Sequence, residues 1–191
     1  MSYTTRFDDA LIYTSAIHRH QKRKATGIPY ITHLLAVASL VGVHGGTEDQ
    51  VIGGLLHDAI EDCIDKVPEI RTQIGSKFGQ TVLDIVEACT DADTIPKPPW
   101  RERKLVYIKH VQDADPRAPF LLVSLADKVH NAQSIVQDLR VMKEELWTRF
   151  KGKREGSIWY YESLSDAFAT QAPGPLADEL ARLVEEMNRL G

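Results

Sequence analysis

Four titratable side chains lie close together in GGLLHDAIEDC, residues 53–63, at the end of an apolar segment. His57 and Asp58 are adjacent, and Glu61 and Asp62 follow after two apolar residues. On a helix, positions four apart share a face, so we expect His57 to stack on Glu61. Asp58 is expected to stack on Asp62 in the same way. The adjacent imidazole and carboxylate are typical of metal ligands, although two ligands do not complete a site.

Two further polar residues lie on predicted helices elsewhere in the chain. His33 begins a helix in GIPYITHLLAV, and Asp127 lies in LLVSLADKVHN with Asn131 one turn later. We expect Asp127 and Asn131 to lie opposite an apolar stripe, which consists of Leu122, Leu125, Val129, Ala132 and Val136. Each signal also has a structural interpretation: a hydrogen-bonded core histidine, a solvated aspartate, or an acidic surface turn at residues 61–62. Spacing alone therefore indicates only a weak metal site.

The elements that must position these residues are predicted to be helices, because apolar residues recur at intervals of three and four along most of the chain. The segment VIGGLLHDAIED is apolar nearly all round up to His57, which predicts a buried helix whose carboxyl end opens into a cleft. The absence of alternating strands and of a glycine-rich phosphate loop argues against a Rossmann or P-loop fold. Breaks rich in Gly, Pro or Asp fall at residues 24–29, 44–49, 64–68, 75–79, 91–99, 113–119 and 171–175.

These breaks divide the chain into roughly eight to ten helices, and we predict an all-α single domain over residues 1–191. Its core is expected at residues 7–140, with C-terminal helices at 141–191. The formal net charge of −4 offers no polybasic surface, so nucleic acid is not an expected partner. Neither a membrane span nor a secretion signal is recognisable, which favours the cytoplasm. Cys63 and Cys89 are assigned no role.

Three motifs occur together and in order: HRHQKRKATGIPYITH at 18–33, GLLHDAIED at 54–62 and SLADKVHN at 124–131. They resemble the HD phosphohydrolase superfamily and, within it, the hydrolase domain of the RelA/SpoT alarmone enzymes and their small stand-alone relatives. The stretch FGQTVLDIVEACTDADTIPK at 78–97 is similar to the small hydrolases of that group, and WYYESL at 159–164 matches loosely. The first motif is the most specific, because it carries His18, Gln21, Arg23, Lys24, Gly27, Pro29, Tyr30 and His33.

The resemblance implies an HD-domain helical bundle with one divalent metal ion, bound by His33, His57, Asp58 and Asp127. It also implies that Glu61 and Asp62 orient and deprotonate the attacking water. Around a nucleotide substrate it places Arg23, Lys24, Lys97, Asn131 and Tyr160. Leu34 follows His33 where the family usually has proline, which we expect to alter only the helix start. Trp100 could stack on a base, but a loop tryptophan packed as a lid over the core is an equally good interpretation, so Trp100 is left outside the site.

The implied reaction is the hydrolysis of guanosine tetra- or pentaphosphate to pyrophosphate and GDP or GTP. A divalent metal supplies the acidified water and offsets phosphoryl charge, and mixed nitrogen and oxygen ligands suit Mn²⁺, with Fe²⁺, Co²⁺ or Zn²⁺ as alternatives. A second interpretation keeps the metal but changes the substrate to another nucleotide, such as the 2′-phosphate of NADPH or a nucleoside monophosphate. A third is a non-catalytic alarmone sensor, against which the two acidic residues argue. Neither the oligomeric state nor the regulation follows from the sequence.

Overall fold

The computed structural model describes residues 2–24, 26–63 and 66–191, and in these residues the fold is all-α. The prediction of the fold class is confirmed: within the described ranges, the only β-type pairing is one isolated bridge between Lys22 and Pro29. The elements are α1 (Thr5–Ile17), α2 (Ile31–Val43), α3 (Glu48–Leu56), α4 (Ala59–Asp62), α5 (Val67–Phe78), α6 (Gln80–Cys89), α7 (Trp100–Gln112), α8 (Phe120–Met142), a 3₁₀ helix (Lys143–Arg149), α9 (Lys153–Gln171) and α10 (Pro175–Leu190).

Most helix boundaries agree with the local sequence signals. Thr47 caps α3 through a reciprocal capping box with Gln50, which satisfies backbone N–H groups that the first helical turn leaves free. Gly79 separates α5 from α6 with a φ of +92°, a conformation that side chains rarely tolerate. Of the predicted break at 64–68, Ile64 and Asp65 lie outside the described residues, as does Ala25 in the break at 24–29.

Two interruptions of the helices were not predicted. The segment 51–62 is not one helix, because α3 ends at Leu56 and Asp58 adopts a φ of −98° and a ψ of 0° before α4 begins. The prediction that His57 stacks on Glu61, and Asp58 on Asp62, along one continuous helix is therefore wrong. The second interruption follows α8, where Lys143 has a φ of +51° without any glycine or proline nearby.

The two glycines of α3 explain how the candidate ligands are brought together. A Cβ atom on Gly54 would lie 3.1 Å from the Cα of Ala38 in α2, and one on Gly53 would lie 2.6 Å from the Cγ2 of Ile85 in α6. Only glycine allows α2 and α6 to approach α3 this closely from two sides. The end of α3, which carries His57, is thus held deep in the molecule beside α2.

The longest helix, α8, runs through the middle of the molecule and packs against α2, α3, α6 and α10. Asp127 lies on this helix and is only 6% exposed, so it is a buried carboxylate and not a surface residue. One continuous apolar core extends from Ala10 to Met187 and includes α9 and α10. Among the described residues, no helix is long and apolar enough to cross a membrane.

Candidate active site

The four predicted metal ligands converge at one point between α2, the α3–α4 turn and α8. The His33 Nε2 atom lies 3.1 Å from Asp127 Oδ1 and 3.6 Å from Asp58 Oδ2. The His57 Nε2 atom lies 3.0 Å from Asp58 Oδ2 and 3.5 Å from Asp127 Oδ1. The structure therefore brings together residues as far apart in the chain as His33 and Asp127.

Both imidazoles present an unpaired nitrogen to this point. His33 and His57 are 1% and 2% exposed, and their Nε2 atoms are buried without a well-aligned hydrogen bond. The Nδ1 atom of His57 lies 2.9 Å from the carbonyl oxygen of Gly54, to which its N–H donates. In the neutral ring, this bond leaves the lone pair of His57 on Nε2, facing the carboxylates.

His33 is oriented by a second histidine rather than by a carbonyl group. Its Nδ1 atom lies 2.7 Å from the Nδ1 atom of His130, so one of these two atoms donates and the other accepts. Because His33 Nε2 faces the carboxylates, a free lone pair there requires that His33 Nδ1–H donates to His130. Burial, followed by the neighbouring His33, lowers the pKa of His130 to about 4, so His130 is neutral and one of its nitrogens can accept this hydrogen bond.

The pKa values of His57, Asp58 and Asp127 are shifted by burial and by the charges of their neighbours. Burial alone would lower the pKa of His57, but the Asp58 carboxylate outweighs it and raises this pKa well above its ordinary range. Burial would likewise raise the pKa of Asp58, yet His57 holds it well below the usual range. The pKa of Asp127 is also well below its usual range, because the Lys128 ammonium overcomes the effect of burial.

Neighbouring residues position the two carboxylates. The Tyr30 hydroxyl donates to Asp58 Oδ2 at 2.6 Å. Lys128 Nζ donates to Asp127 Oδ2 at 2.6 Å, and Asn131 Nδ2 donates to Asp127 Oδ1 at 2.5 Å. Supporting donors of this kind orient metal-binding carboxylates in proteins.

This donor set fits a divalent metal ion. Ligand atoms of His33, His57 and Asp58 all lie within 4.8 Å of one another, and an oxygen of Asp127 lies beside both imidazoles. Two buried imidazole nitrogens without a hydrogen bond, facing two carboxylates, are costly unless a cation satisfies all four groups. Mixed nitrogen and oxygen ligands are compatible with several first-row divalent metals.

The two residues of the acidic pair have different surroundings. Lys97 Nζ donates to Glu61 Oε1 at 2.8 Å, which forms a partly exposed ion pair. Asp62 instead accepts a hydrogen bond from a neutral amide, since Gln21 Nε2 lies 2.7 Å from its Oδ2 atom. Desolvation, followed by the charge of Asp58, raises the pKa of Asp62 to about 6.

A cavity of about 470 Å³ lies beside the four candidate ligands. Four of the five predicted substrate residues line it: Arg23, Lys24, Asn131 and Tyr160. Lys97 is not in its wall and pairs with Glu61 instead. Arg23 reaches across the cavity, where its Nη2 atom donates to Asn131 Oδ1 at 3.0 Å.

Sequence reasoning missed several residues of the cavity wall. Lys128 directly follows Asp127 and so had a signal in the sequence, whereas Arg149 comes from the 3₁₀ helix and had none. Lys104 also lines the cavity; it belongs to the basic stretch KPPWRERK, which is one of two basic clusters expected to suit a small polyanion. Trp100, left outside the site, is the first residue of α7 and not a loop residue; it lines the cavity and its ring packs against Trp159 and Tyr160.

Comparison with known proteins places these features in one family. The HD domain family matches residues 10–158. The chain is 36% identical over 143 residues to the guanosine-3′,5′-bis(diphosphate) 3′-pyrophosphohydrolase MESH1 of Xenopus tropicalis, which covers 73% of each chain. It is 34% identical to the MESH1 protein of Homo sapiens, which covers 75% of this chain and 74% of the human one.

Solved structures agree. A metazoan ortholog of SpoT that hydrolyses ppGpp superposes with a TM-score of 0.76 over 97% of both chains at 23% identity, which supports the fold. A protein from Listeria monocytogenes EGD-e superposes with a TM-score of 0.69 at 30% identity, covering 80% of this chain and 96% of the other. The resemblance inferred from the three motifs is confirmed, and the chain belongs to the HD domain family.

Proposed function

We propose that this protein is a divalent-metal-dependent hydrolase of guanosine 3′,5′-bis(diphosphate) that releases pyrophosphate from the 3′ side and leaves GDP. The guanosine pentaphosphate would give GTP in the same way. The observation that carries this proposal is the juxtaposition of the two-histidine, two-carboxylate cluster with a cationic cavity of nucleotide size. The activity named for the MESH1 relatives supports it.

The metal ion would be held by His33, His57, Asp58 and Asp127, and we propose Mn²⁺, with Fe²⁺, Co²⁺ or Zn²⁺ as alternatives. When bound, the ion supplies Lewis acidity, which offsets charge on a phosphoryl oxygen and acidifies water. The protein's part is to hold the Nδ1 side of each ring against Gly54 or His130, so that Nε2 is the nitrogen that faces the ion. It also keeps both carboxylates ionised: Lys128 and Asn131 face Asp127, and the Tyr30 hydroxyl donates to Asp58.

Asp62 and Glu61 are proposed to act on the attacking water. A carboxylate with a pKa of about 6 is mostly ionised at pH 7 and is a stronger base than an ordinary aspartate. General-base assistance of this kind contributes about 10²- to 10⁴-fold in rate. Glu61 is tied to Lys97, so we propose that this pair orients the water and the phosphoryl group while Asp62 accepts the proton.

The cavity is proposed to bind the polyphosphate and the nucleoside. Its volume of about 470 Å³ lies in the ordinary range for small-molecule sites. Aromatic walls are supplied by Trp100, Tyr160 and Tyr161. One acidic residue, Asp138, lines the cavity together with five cationic ones, namely Arg23, Lys24, Lys104, Lys128 and Arg149. A site with this excess of positive charge in an acidic protein favours a small polyanion.

The test is a Mn²⁺-dependent assay in which guanosine tetraphosphate competes with NADPH, 3′-AMP and deoxynucleoside monophosphates. Pyrophosphate and orthophosphate are measured in parallel, and pyrophosphate should appear together with GDP. If a monophosphate is cleaved with a much higher kcat/KM, the proposed substrate is wrong although the metal chemistry survives. Tight binding of the tetraphosphate without turnover would instead identify a sensor.

A further inference from the structure

Two residues of the first motif, His18 and Gln21, form a chain of hydrogen bonds that ends on Asp62. The His18 Nδ1 atom lies 2.5 Å from Gln21 Oε1, and Gln21 Nε2 lies 2.7 Å from Asp62 Oδ2. The metal ligands do not take part in this chain, and neither residue lines the cavity. The substrate and metal roles proposed above therefore leave both residues unexplained.

The direction of every hydrogen bond in this chain follows from the chemistry of its last member. An ionised carboxylate only accepts, so the amide group of Gln21 must turn its NH₂ toward Asp62 and its oxygen toward His18. His18 Nδ1 must then carry a proton and donate to that oxygen. His18 is 2% exposed, and burial lowers its pKa, so it is a neutral donor whose tautomer is set by the chain.

The backbone holds Gln21 in place from both sides. Its N–H donates to the carbonyl oxygen of His18 at 3.1 Å, and its carbonyl oxygen accepts from the N–H of Tyr30 at 2.9 Å. His18 in turn ends α1, where its own N–H donates to the carbonyl oxygen of Thr14 at 3.1 Å. The amide that meets Asp62 is thus attached to a rigid helix end and to the segment that leads into α2.

We infer that Gln21 is a positioning residue for Asp62 and that His18 positions Gln21. The inference rests on the hydrolase function proposed above and adds two residues to its machinery. Because the Gln21 amide binds Oδ2, Oδ1 is the oxygen of Asp62 that this inference assigns to the attacking water. No cation lies within ion-pair distance of Asp62 in the portion of the chain that the structure describes, so this amide is the contact that orients it.

The experiment measures kcat and KM between pH 5 and 9 in the Mn²⁺-loaded protein, together with metal content. We expect Gln21→Leu to lower kcat by about ten- to hundredfold, because a misdirected catalytic group costs on this scale. KM and metal content should remain within about twofold of wild type. Gln80→Leu is the matched control, since Gln80 donates to Asp84 at the same 2.7 Å on an exposed helix.

Substitutions of His18 test the other end of the chain. His18→Asn keeps an N–H donor near the position of Nδ1 and should restore much of the activity that His18→Phe loses. If wild type hydrolyses the tetraphosphate while Gln21→Leu and His18→Phe keep its kcat, the inference is overturned. It is also overturned if both variants lose metal and activity together or if neither folds, since the two residues would then support the fold. Inactivity of wild type refutes the proposed function itself.

Discussion

Removal and restoration of the metal ion should change the stability of this protein by an amount that depends on pH. The four candidate ligands meet only in the folded 191-residue chain, where His33, His57 and Asp127 are buried, so binding there stabilises the folded state. At an Mn²⁺ concentration 100 times the dissociation constant, the stabilisation is about 2.7 kcal/mol. For a domain of this size, that free energy corresponds to a rise in Tm of about 5–11 °C.

The pH dependence follows from His57. In the metal-free protein the Asp58 carboxylate raises the pKa of His57 well above its ordinary range, so the imidazole is protonated at neutral pH. A ligand nitrogen must be deprotonated, so metal binding should release about one proton per ion at pH 7. The affinity for Mn²⁺ should then rise about tenfold per pH unit, which adds about 3–6 °C to the metal-dependent rise in Tm.

The metal-free protein should respond to pH in the opposite direction. Its raised His57 pKa contributes stability that is fully present below about pH 6.5 and is lost as the pH rises through the raised value. The lowered pKa values of Asp58 and Asp127 contribute stability above about pH 4 that is lost in acid. The metal-free Tm should therefore be highest between about pH 4 and 6.5.

Thermal unfolding with and without Mn²⁺ at pH 6, 7 and 8 measures this effect, and calorimetric titration in two buffers of different ionisation enthalpy counts the protons. His57→Ala should abolish the Mn²⁺-dependent rise. His44→Ala is the matched control, because His44 also ends a helix and its Nδ1 atom also faces a backbone carbonyl oxygen, at 2.8 Å. The reasoning is refuted if Mn²⁺ leaves the wild-type Tm unchanged, or if the rise is the same at pH 6 and pH 8.

Three further outcomes are expected. Glu61→Gln should retain the metal ion, as metal analysis would show, and lower kcat by about ten- to hundredfold, because the attacking water loses an orienting group; an equal loss of metal would mean that Glu61 is a ligand. Arg23→Ala should raise KM for guanosine tetraphosphate by about ten- to hundredfold through a lost charge-assisted contact, whereas Arg117→Ala, exposed and paired with Asp115, should leave it unchanged. His130→Phe should weaken Mn²⁺ binding to the metal-free protein by about 10- to 100-fold, and an unchanged titration curve would exclude its role in orienting His33.

The helical class could be predicted from the sequence because helix formation depends largely on the local pattern of apolar residues. Apolar periodicity and glycine or proline breaks are properties of short segments, so helices such as α2 and α6 could be expected from them. The close helix contacts at Gly53 and Gly54 were not predicted, because a pair of glycines does not reveal which helices pack against it. The candidate ligands were proposed from the family resemblance, which depends on short motifs that keep their order along the chain.

The interactions that the sequence did not reveal join residues through tertiary structure. The partner of Glu61 is Lys97, 36 positions away on a loop, and its long side chain could equally have faced a nucleotide. The partner of His33 is His130, which lies on a different helix. No glycine or proline marks the break at residues 57–58, so no signal in the sequence predicted it. The contacts of His57 and Asp58 at the candidate site outweigh the local helical preference there.

The candidate ligand cluster contains carboxylates, whereas the cavity wall is mainly cationic, and the Asn131 side chain bonds to both. Asn131 donates from Nδ2 to Asp127 in the metal cluster, while its Oδ1 atom accepts from Arg23 in the cavity. An amide is the side-chain group that donates and accepts at adjacent atoms without a charge of its own, so it can lie between a carboxylate and a guanidinium group. Arg23 also belongs to the loop that holds Gln21 against Asp62, so this one loop contacts both Asn131 and the acidic pair. The first motif, residues 18–33, therefore contacts three parts of the candidate site. Its Gln21 meets the acidic pair, its Arg23 lines the cavity, and its Tyr30 and His33 lie at the candidate ligand cluster.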